Sequence, residues 1–155
     1  MAEVLFFSYT GTSGRIAEAV AERLGLEARE IVPKLSLPYP AWLLLSFMPN
    51  LGVPVKVVSS TCEKVILCFP KWTFNCPPVT ATIKSGVLKG RTVFLIVTYG
   101  GWRGEPYLRG YAKMLERHGA RVGGIRLVKR SEVQSVLSDD GFFEDLERFL
   151  EQRVK

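Results

Sequence analysis

Apolar positions along the chain fall into two kinds of segment that alternate. Short, nearly unbroken apolar runs occur at Glu3–Ser8 (EVLFFS), Lys64–Pro70 (KVILCFP) and Arg91–Gly101 (RTVFLIVTYGG). Their length and their aromatic and β-branched content predict strands buried on both faces. Glu27–Val32 (EAREIV) and Arg121–Val128 (RVGGIRLV) are weaker examples of the same pattern. Between the runs the period lengthens. Ile16, Ala17, Val20, Ala21 and Leu24 recur at helical spacing, Arg15, Glu18, Glu22 and Arg23 take the other faces, and Gly25 supplies a stop. Tyr107, Leu108, Tyr111, Leu115 and His118 form a second stripe, with Pro106 in its first turn and Gly119 at its end. Residues 77–88 bridge the third and fourth strands, and Phe142, Phe143, Leu146, Phe149 and Leu150 make a terminal amphipathic helix. Strands alternating with helices in this way predict an α/β protein, a parallel sheet covered on both faces. Ligands of such sheets sit beyond the carboxyl ends of the strands, where the strand order reverses. That directs attention to three loops: Ser8–Gly14, Pro70–Pro78 and Thr98–Glu105.

One stretch breaks the alternation. Five of the nine prolines lie between Pro33 and Pro54, around the apolar segment Ala41–Met48 (AWLLLSFM). This segment is too short to cross a bilayer, so a short buried helix is expected there in preference to an adhesive surface element. A chain of 155 residues without repeats or low-complexity tracts reads as one domain, residues 1–155. MAEVLFF lacks a basic leader and a cleavage site, and reads as a first strand, not a signal peptide. The cysteines, Cys62, Cys68 and Cys76, are odd in number and fit neither a disulfide framework nor zinc or iron–sulfur spacing. Reduced thiols and a cytoplasmic location are expected. The net charge of +6 is uneven, because residues 139–155 carry −3 and residues 1–138 therefore +9. Such a surface attracts anions, or is simply solvated; charge alone does not choose.

The loops narrow the choice. SYTGTS (Ser8, Tyr9, Thr10, Gly11, Thr12, Ser13) joins a strand to a helix N-terminus. Small residues there let backbone amides converge, Gly11 permits close approach, and the hydroxyls add donors, which together suit a phosphate. The alternative is a serine- and threonine-rich helix cap, but five hydroxyl residues in six positions exceed what capping needs. A P-loop lysine and a GxGxxG fingerprint are both missing from this loop, so nucleoside triphosphates and dinucleotides are not indicated. In the second loop, PKWTFNCPP, Trp72 and Phe74 flank Thr73 just past a strand end. In the third, TYGGWRGE, Tyr99 and Trp102 flank Gly100 and Gly101. Singly, each aromatic reads as packing. Opposed across one sheet edge, they could clamp a planar ring. Cys76 and His118 read as packed residues, not as catalytic ones.

With these residues in view, FFSYTGTSGRIAEAVAERL resembles the phosphate loop and first helix of flavodoxins, whose pattern is T/S-x-T-G-x-T/S. FPKWTFNCPP is similar to the second flavin loop of that family, and VTYGGWRGEPYLRGYAKMLERHGA to the third. The TYGG form is nearest to flavodoxin domains that precede a two-cluster ferredoxin in longer proteins. The resemblance covers nearly the whole chain outside Leu35–Thr61. It implies a flavodoxin-like three-layer sandwich with a five-stranded parallel sheet of order 2-1-3-4-5, binding one FMN non-covalently. It further implies Ser8, Thr10 and Ser13 as hydroxyl contacts to the phosphate, with amides from Tyr9 to Ser13 completing the cradle. Trp72 falls at the ring-stacking position, with Thr73 and Phe74 beside it. Thr98 to Gly101 fall where backbone meets the pyrimidine edge, and either Tyr99 or Trp102 would cover the other ring face. Thr12 stands where the family often has Asn and Ser13 where it usually has Thr; both keep a hydrogen-bonding side chain. Many flavodoxins are strongly acidic, whereas this chain is basic, and it carries no iron–sulfur cysteine run.

The function so implied is electron transfer by a bound FMN, with an acidic redox protein as the expected partner. A basic surround should make the flavin's potential less negative than acidic surroundings do. The alternatives are an FMN-dependent NAD(P)H or quinone reductase, in which Trp72, Trp102 and Arg103 would line a substrate pocket, and a flavin-free adaptor. Other proteins sharing this alternation fit less well. A receiver domain needs acids after the first strand and an aspartate after the third, where this chain reads FSYTG and CFPKW. A low-molecular-weight phosphatase needs a cysteine in the first loop, which has none. Nucleic-acid binding rests on charge alone and ranks below these.

Overall fold

The computed structural model describes residues 2–8, 11–34, 38–47, 52, 55, 62–71 and 75–152. Strands β1 (Ala2–Phe6), β2 (Glu27–Glu30), β3 (Lys64–Pro70), β4 (Thr92–Tyr99) and β5 (Arg121–Lys129) form one sheet of order β2-β1-β3-β4-β5. Every pairing is parallel. This is the predicted α/β arrangement and the predicted strand order. Helices α1 (Thr12–Leu24), α2 (Tyr39–Ser46), α3 (Pro77–Lys84), α4 (Gly104–Arg117), α5 (Val133–Leu137) and α6 (Asp140–Glu151) complete it. A 3-10 turn, Arg130–Glu132, leads into α5. The sequence reading did not foresee this turn or α5, because RSEVQSVL offers only two buried apolar positions, Val133 and Val136, too few to show a period.

Alternate residues of the central strands feed two separate cores, as the period of two requires. Leu5, Val65, Leu67, Phe69, Val93, Leu95 and Val97 meet Trp42 of α2, Val79 and Ile83 of α3, and Leu108, Tyr111 and Leu115 of α4. Val4, Phe6, Ile66, Cys68, Phe94 and Ile96 meet Ile16 and Val20 of α1, Val133 and Val136 of α5, and Phe142, Phe143, Leu146 and Phe149 of α6. Three layers follow. Each fully buried aliphatic side chain contributes roughly 1.5–3 kcal/mol to holding them together.

The Pro33–Pro54 segment contributes α2, close to the expected Ala41–Met48 helix but beginning at Tyr39. Its burial is one-sided: Trp42 is 2% exposed, while Leu44 is 71% exposed. Met48 lies outside the described residues. An isolated antiparallel bridge joins Pro33 to Val55, and Gly52 runs so close to α3 that a Cβ there would lie 3.2 Å from the Ala81 Cα.

The two edge strands carry charge, which discourages further pairing. On β2, Arg29 pairs with Glu27 and with the buried Glu3 of β1. On β5, Arg121, Arg126 and Lys129 alternate with smaller residues. Its glycine pair has a packing reason. A Cβ on Gly124 would lie 2.5 Å from the Phe94 ring, and one on Gly123 2.6 Å from the Phe149 ring. Those two rings stack edge-to-face, with centroids 5.4 Å apart, over the space the glycines leave. Gly124→Ala is therefore expected to destabilise the fold by about 1–3 kcal/mol through overpacking. Gly110, in the interior of α4 with nothing within 4 Å of its Cβ position, is the contrast. Gly110→Ala is expected to be stabilising by about 0.5–1 kcal/mol. Urea denaturation of both variants measures the pair; an equal effect of the two substitutions would contradict this packing account.

Candidate functional site

The parallel register carries the ends of β1, β3 and β4 to one edge, since Phe6 pairs with Cys68, and Pro70 with Thr98. Of the sequence-predicted residues, Tyr9, Thr10, Trp72, Thr73 and Phe74 lie outside the described residues. Ser8, Gly11, Thr12, Ser13, Thr98, Tyr99, Gly100, Gly101 and Trp102 all fall at or just beyond this edge.

In the first loop, the Ser8 Oγ accepts a hydrogen bond from the Gly11 amide at 3.0 Å. Gly11 has φ 94°, a left-handed value that favours glycine, and it turns the chain into α1. The first backbone bond of α1 runs from the Arg15 amide to the Gly11 carbonyl. The amides of Thr12, Ser13 and Gly14 precede that bond and so have no partner within the helix. Among the described residues no side chain caps α1, and no acid occupies its first turn. Gly14 lets the helix lie close to β1, since a Cβ there would already touch Phe6 and Ser8 at 3.4 Å. Ser13 is buried, and its hydroxyl is hydrogen-bonded to that of Thr98 at 2.9 Å. The Cys68 thiol reaches the Ser13 carbonyl at 3.5 Å. Loops one and three are thus tied together over the end of β3.

The second loop is fastened at both ends. The Lys71 amide donates to the Thr98 carbonyl at 2.7 Å. At the other end, the Tyr111 hydroxyl of α4 accepts from the Cys76 amide at 2.7 Å and lies 2.9 Å from the Thr80 hydroxyl and 3.0 Å from Asn75 Oδ1. The Thr80 hydroxyl also donates to Asn75 Oδ1. Asn75, Cys76 and Thr80 are at most 1% exposed and Tyr111 is 3% exposed, so each of these polar groups is satisfied within the protein. Burial pushes the Tyr111 hydroxyl and the Cys76 thiol well above their ordinary pKa values, and the Cys68 thiol from 9.0 to about 12. All three cysteines are buried and none is in a disulfide, in line with packed thiols.

In the third loop the two aromatics differ. The Tyr99 ring lies against the backbone of Gly104, where a Cβ would come within 2.8 Å of it. Trp102 is 63% exposed, with the Lys71 ammonium 5.1 Å and the Arg103 guanidinium 5.5 Å from its ring centroid. Partial burial and the neighbouring Arg103 charge lower the Lys71 pKa. Gly101 has φ 114°, and its Cβ position is 2.8 Å from Lys129 Cε; that of Gly100 is 3.8 Å from Arg130 Nη2.

Beside the first loop lies an open hollow of about 310 Å³, lined by Gly11, Thr12, Arg15, Arg130 and Val133. Arg15 is hydrogen-bonded to the Gln134 side chain of α5. Sequence reading had not connected Arg15, Lys71, Lys129 and Arg130 with the site. Lys129 ends the last strand and Arg130 follows it, and they come to this edge only once β5 pairs beside β4. Tyr99 and Lys129 are register partners, which is the signal that could have found them. Among the described residues Lys71, Arg103, Lys129 and Arg130 form no ion pair with a carboxylate. The edge therefore combines the first amides of α1, cations without a carboxylate partner among the described residues, and an exposed indole. It suits a ligand with an anionic group at one end and a flat ring at the other. Among the described residues no cluster of His, Cys, Asp or Glu could hold a metal ion, and no helix is long and apolar enough to cross a membrane.

Comparison with known proteins places the chain. No family model matches it. Among solved structures it is similar to a Bacteroides uniformis protein assigned as a flavoprotein (TM-score 0.70, 24% identity, covering 89% of this chain and 97% of that one). It is also similar to a Lactobacillus acidophilus flavoprotein in complex with FMN (0.67, 14%, 89% and 98%). A third is an NADH:FMN oxidoreductase in its apo form (0.62, 16%, 99% and 91%). These likenesses, with the sheet order, establish a flavodoxin-like fold. An uncharacterized protein of Archaeoglobus fulgidus is 49% identical over 129 residues, which is 83% of this chain and 86% of that protein. The chain belongs to the same family as that archaeal protein.

The Cys68 and Cys76 thiols and the Tyr111 phenol make an alkaline test of the loop fastening. They are protonated in the folded chain at pH values where they ionise once unfolded, so the unfolded state loses protons first as pH rises. Their contribution is intact below about pH 9 and is lost as pH climbs toward the raised folded values. The denaturation midpoint is therefore expected to fall above about pH 9, and Cys68 and Cys76 to resist alkylation in the native protein. Rapid native labelling of either cysteine would contradict the burial described.

Proposed function

We propose that this chain binds FMN at the carboxyl edge of its sheet and serves as an electron carrier. The observation that carries the reading is the convergence at one edge of the uncapped α1 amides, the Tyr99–Trp102 loop and the anchored ends of the Lys71–Cys76 loop. The residues fit the group. Backbone amides of Thr12, Ser13 and Gly14, with Ser8 and Thr10, would hold the phosphate, the Gly11 amide being bonded to the Ser8 hydroxyl. Ser13 would act mainly through its amide, because its hydroxyl is bonded to Thr98. Backbone from Thr98 to Gly101 would meet the edge of the ring. Of the two third-loop aromatics, Trp102 is the better candidate for the outer ring face, since the Tyr99 ring packs on Gly104; Trp72, with Thr73 and Phe74, would take the other face. Bound FMN would supply the redox chemistry.

Lys71, Arg103, Lys129 and Arg130 bring net positive charge to the rim of this edge. That supports an acidic redox protein as partner, docked through complementary charge and weakened by salt. It also supports a less negative flavin potential than an acidic surface would give. Buried cysteines outside any disulfide suit the cytoplasmic location expected from the sequence. A reductase remains the second reading, favoured by Lys71 and Arg103 beside the exposed Trp102, where an anionic substrate could rest.

Titration of the stripped protein with FMN is expected to quench flavin fluorescence at one-to-one stoichiometry; no binding would overturn the reading. In the loaded protein, Lys71→Gln is expected to lower the flavin midpoint potential by on the order of tens of millivolts. Steady NAD(P)H consumption without a partner protein would favour the reductase over the carrier.

A further inference from the structure

The hollow beside the first loop adds something the loop does not supply by itself. Arg15 lines it from the first turns of α1, and Arg130 from the turn after β5. The two come from opposite ends of the chain. Arg15 is hydrogen-bonded to the Gln134 side chain of α5, and neither arginine has a carboxylate partner among the described residues. Gly11 and Thr12, which line the same hollow, are also the residues that open α1. Arg130 in addition borders Gly100 of the third loop, its Nη2 lying 3.8 Å from that glycine's Cβ position. Two like charges that line one open hollow repel each other and gain from an anion bound there. Guanidinium groups favour phosphate oxygens because their donors match them in pairs.

Resting on the FMN reading above, we propose that Arg15 and Arg130 form a cationic phosphate subsite in this hollow, which makes the chain select a phosphorylated flavin over the unphosphorylated one by charge. The amides and hydroxyls of the first loop orient the phosphate, while the arginines supply the full positive charge. The affinity for FMN then falls with salt far more than the affinity for riboflavin, which lacks the phosphate.

The test is fluorescence titration of the stripped protein with FMN and, separately, with riboflavin, at low and high salt. Arg130→Gln, Arg15→Gln and Arg130→Lys are compared with the unsubstituted chain. Both arginines are solvent-exposed, so the variants should keep the fold, which circular dichroism checks. Each glutamine variant is expected to weaken FMN binding roughly tenfold at low salt, a typical loss for a charge-assisted hydrogen bond at an open site, while riboflavin affinity stays within about twofold. Arg130→Lys should recover part of the FMN affinity. If the unsubstituted chain binds FMN and the ratio of FMN to riboflavin affinity is unchanged in both glutamine variants, the subsite is overturned and the flavin reading stands. If the unsubstituted chain binds neither flavin, both fall together.

Discussion

The parallel registration of β1, β3 and β4 is the constraint on which the site depends. Parallel strands must all end at the same edge, so each crossover delivers a loop to one place. Here Phe6, Cys68 and Ile96 lie in line across the three strands, and Thr98 pairs with Pro70 two residues further on. The hydrogen bond between the Ser13 and Thr98 hydroxyls then links a helix start to a strand end across 85 residues of sequence. Without that registration Ser8, Lys71 and Trp102 would have no reason to share an edge. With it, three loops that carry different chemistry become one surface.

Fastening of these loops uses buried polar groups, which are costly unless satisfied. Tyr111 illustrates this. Its ring packs edge-on against Phe69, with centroids 4.7 Å apart, and its hydroxyl serves the Cys76 amide, Thr80 and Asn75 together. The segment that carries Trp72 to Phe74 is thereby held at its far end by a helix that itself begins at the third loop. The Lys71 amide, bonded to the Thr98 carbonyl, holds its near end. A rigid frame around the ends of its loops is what a ligand site needs if binding is not to be offset by ordering entropy.

Much of this was legible in the sequence, and the limits of that legibility have physical causes. The strands Lys64–Pro70 and Thr92–Tyr99 announced themselves because both faces are buried, which leaves no polar positions to blur the run. Gly11 and the hydroxyls around it pointed to a helix start suited to an anion, and the structure brings Gly11, Thr12 and Ser13 to the start of α1. The stripe on α4 showed Tyr107 and Tyr111 as core residues but gave no sign that the Tyr111 hydroxyl anchors Cys76. Such a bond depends on how α4 lies on the sheet, not on local pattern. The cations were least visible. Lys129 ends a weak edge strand and Arg130 follows it, and Arg15 reads as the polar face of an amphipathic helix. Only the pairing of β5 with β4 brings the first two beside the third loop and sets Arg130 on the hollow that Arg15 also lines. A net charge of +6 gave no hint of where the charge gathers.

The central claim is that these loops form a single site for one flavin. Nuclear magnetic resonance of the isotope-labelled, stripped protein, recorded before and after one equivalent of FMN, tests it most directly. The account expects the amide signals of Gly11 to Gly14, Lys71, Asn75 and Thr98 to Trp102 to shift together and saturate at the same ratio, while those of β2 and of Asp140–Glu151 stay in place. Shifts confined to one loop, or scattered over the surface without saturation, would contradict it.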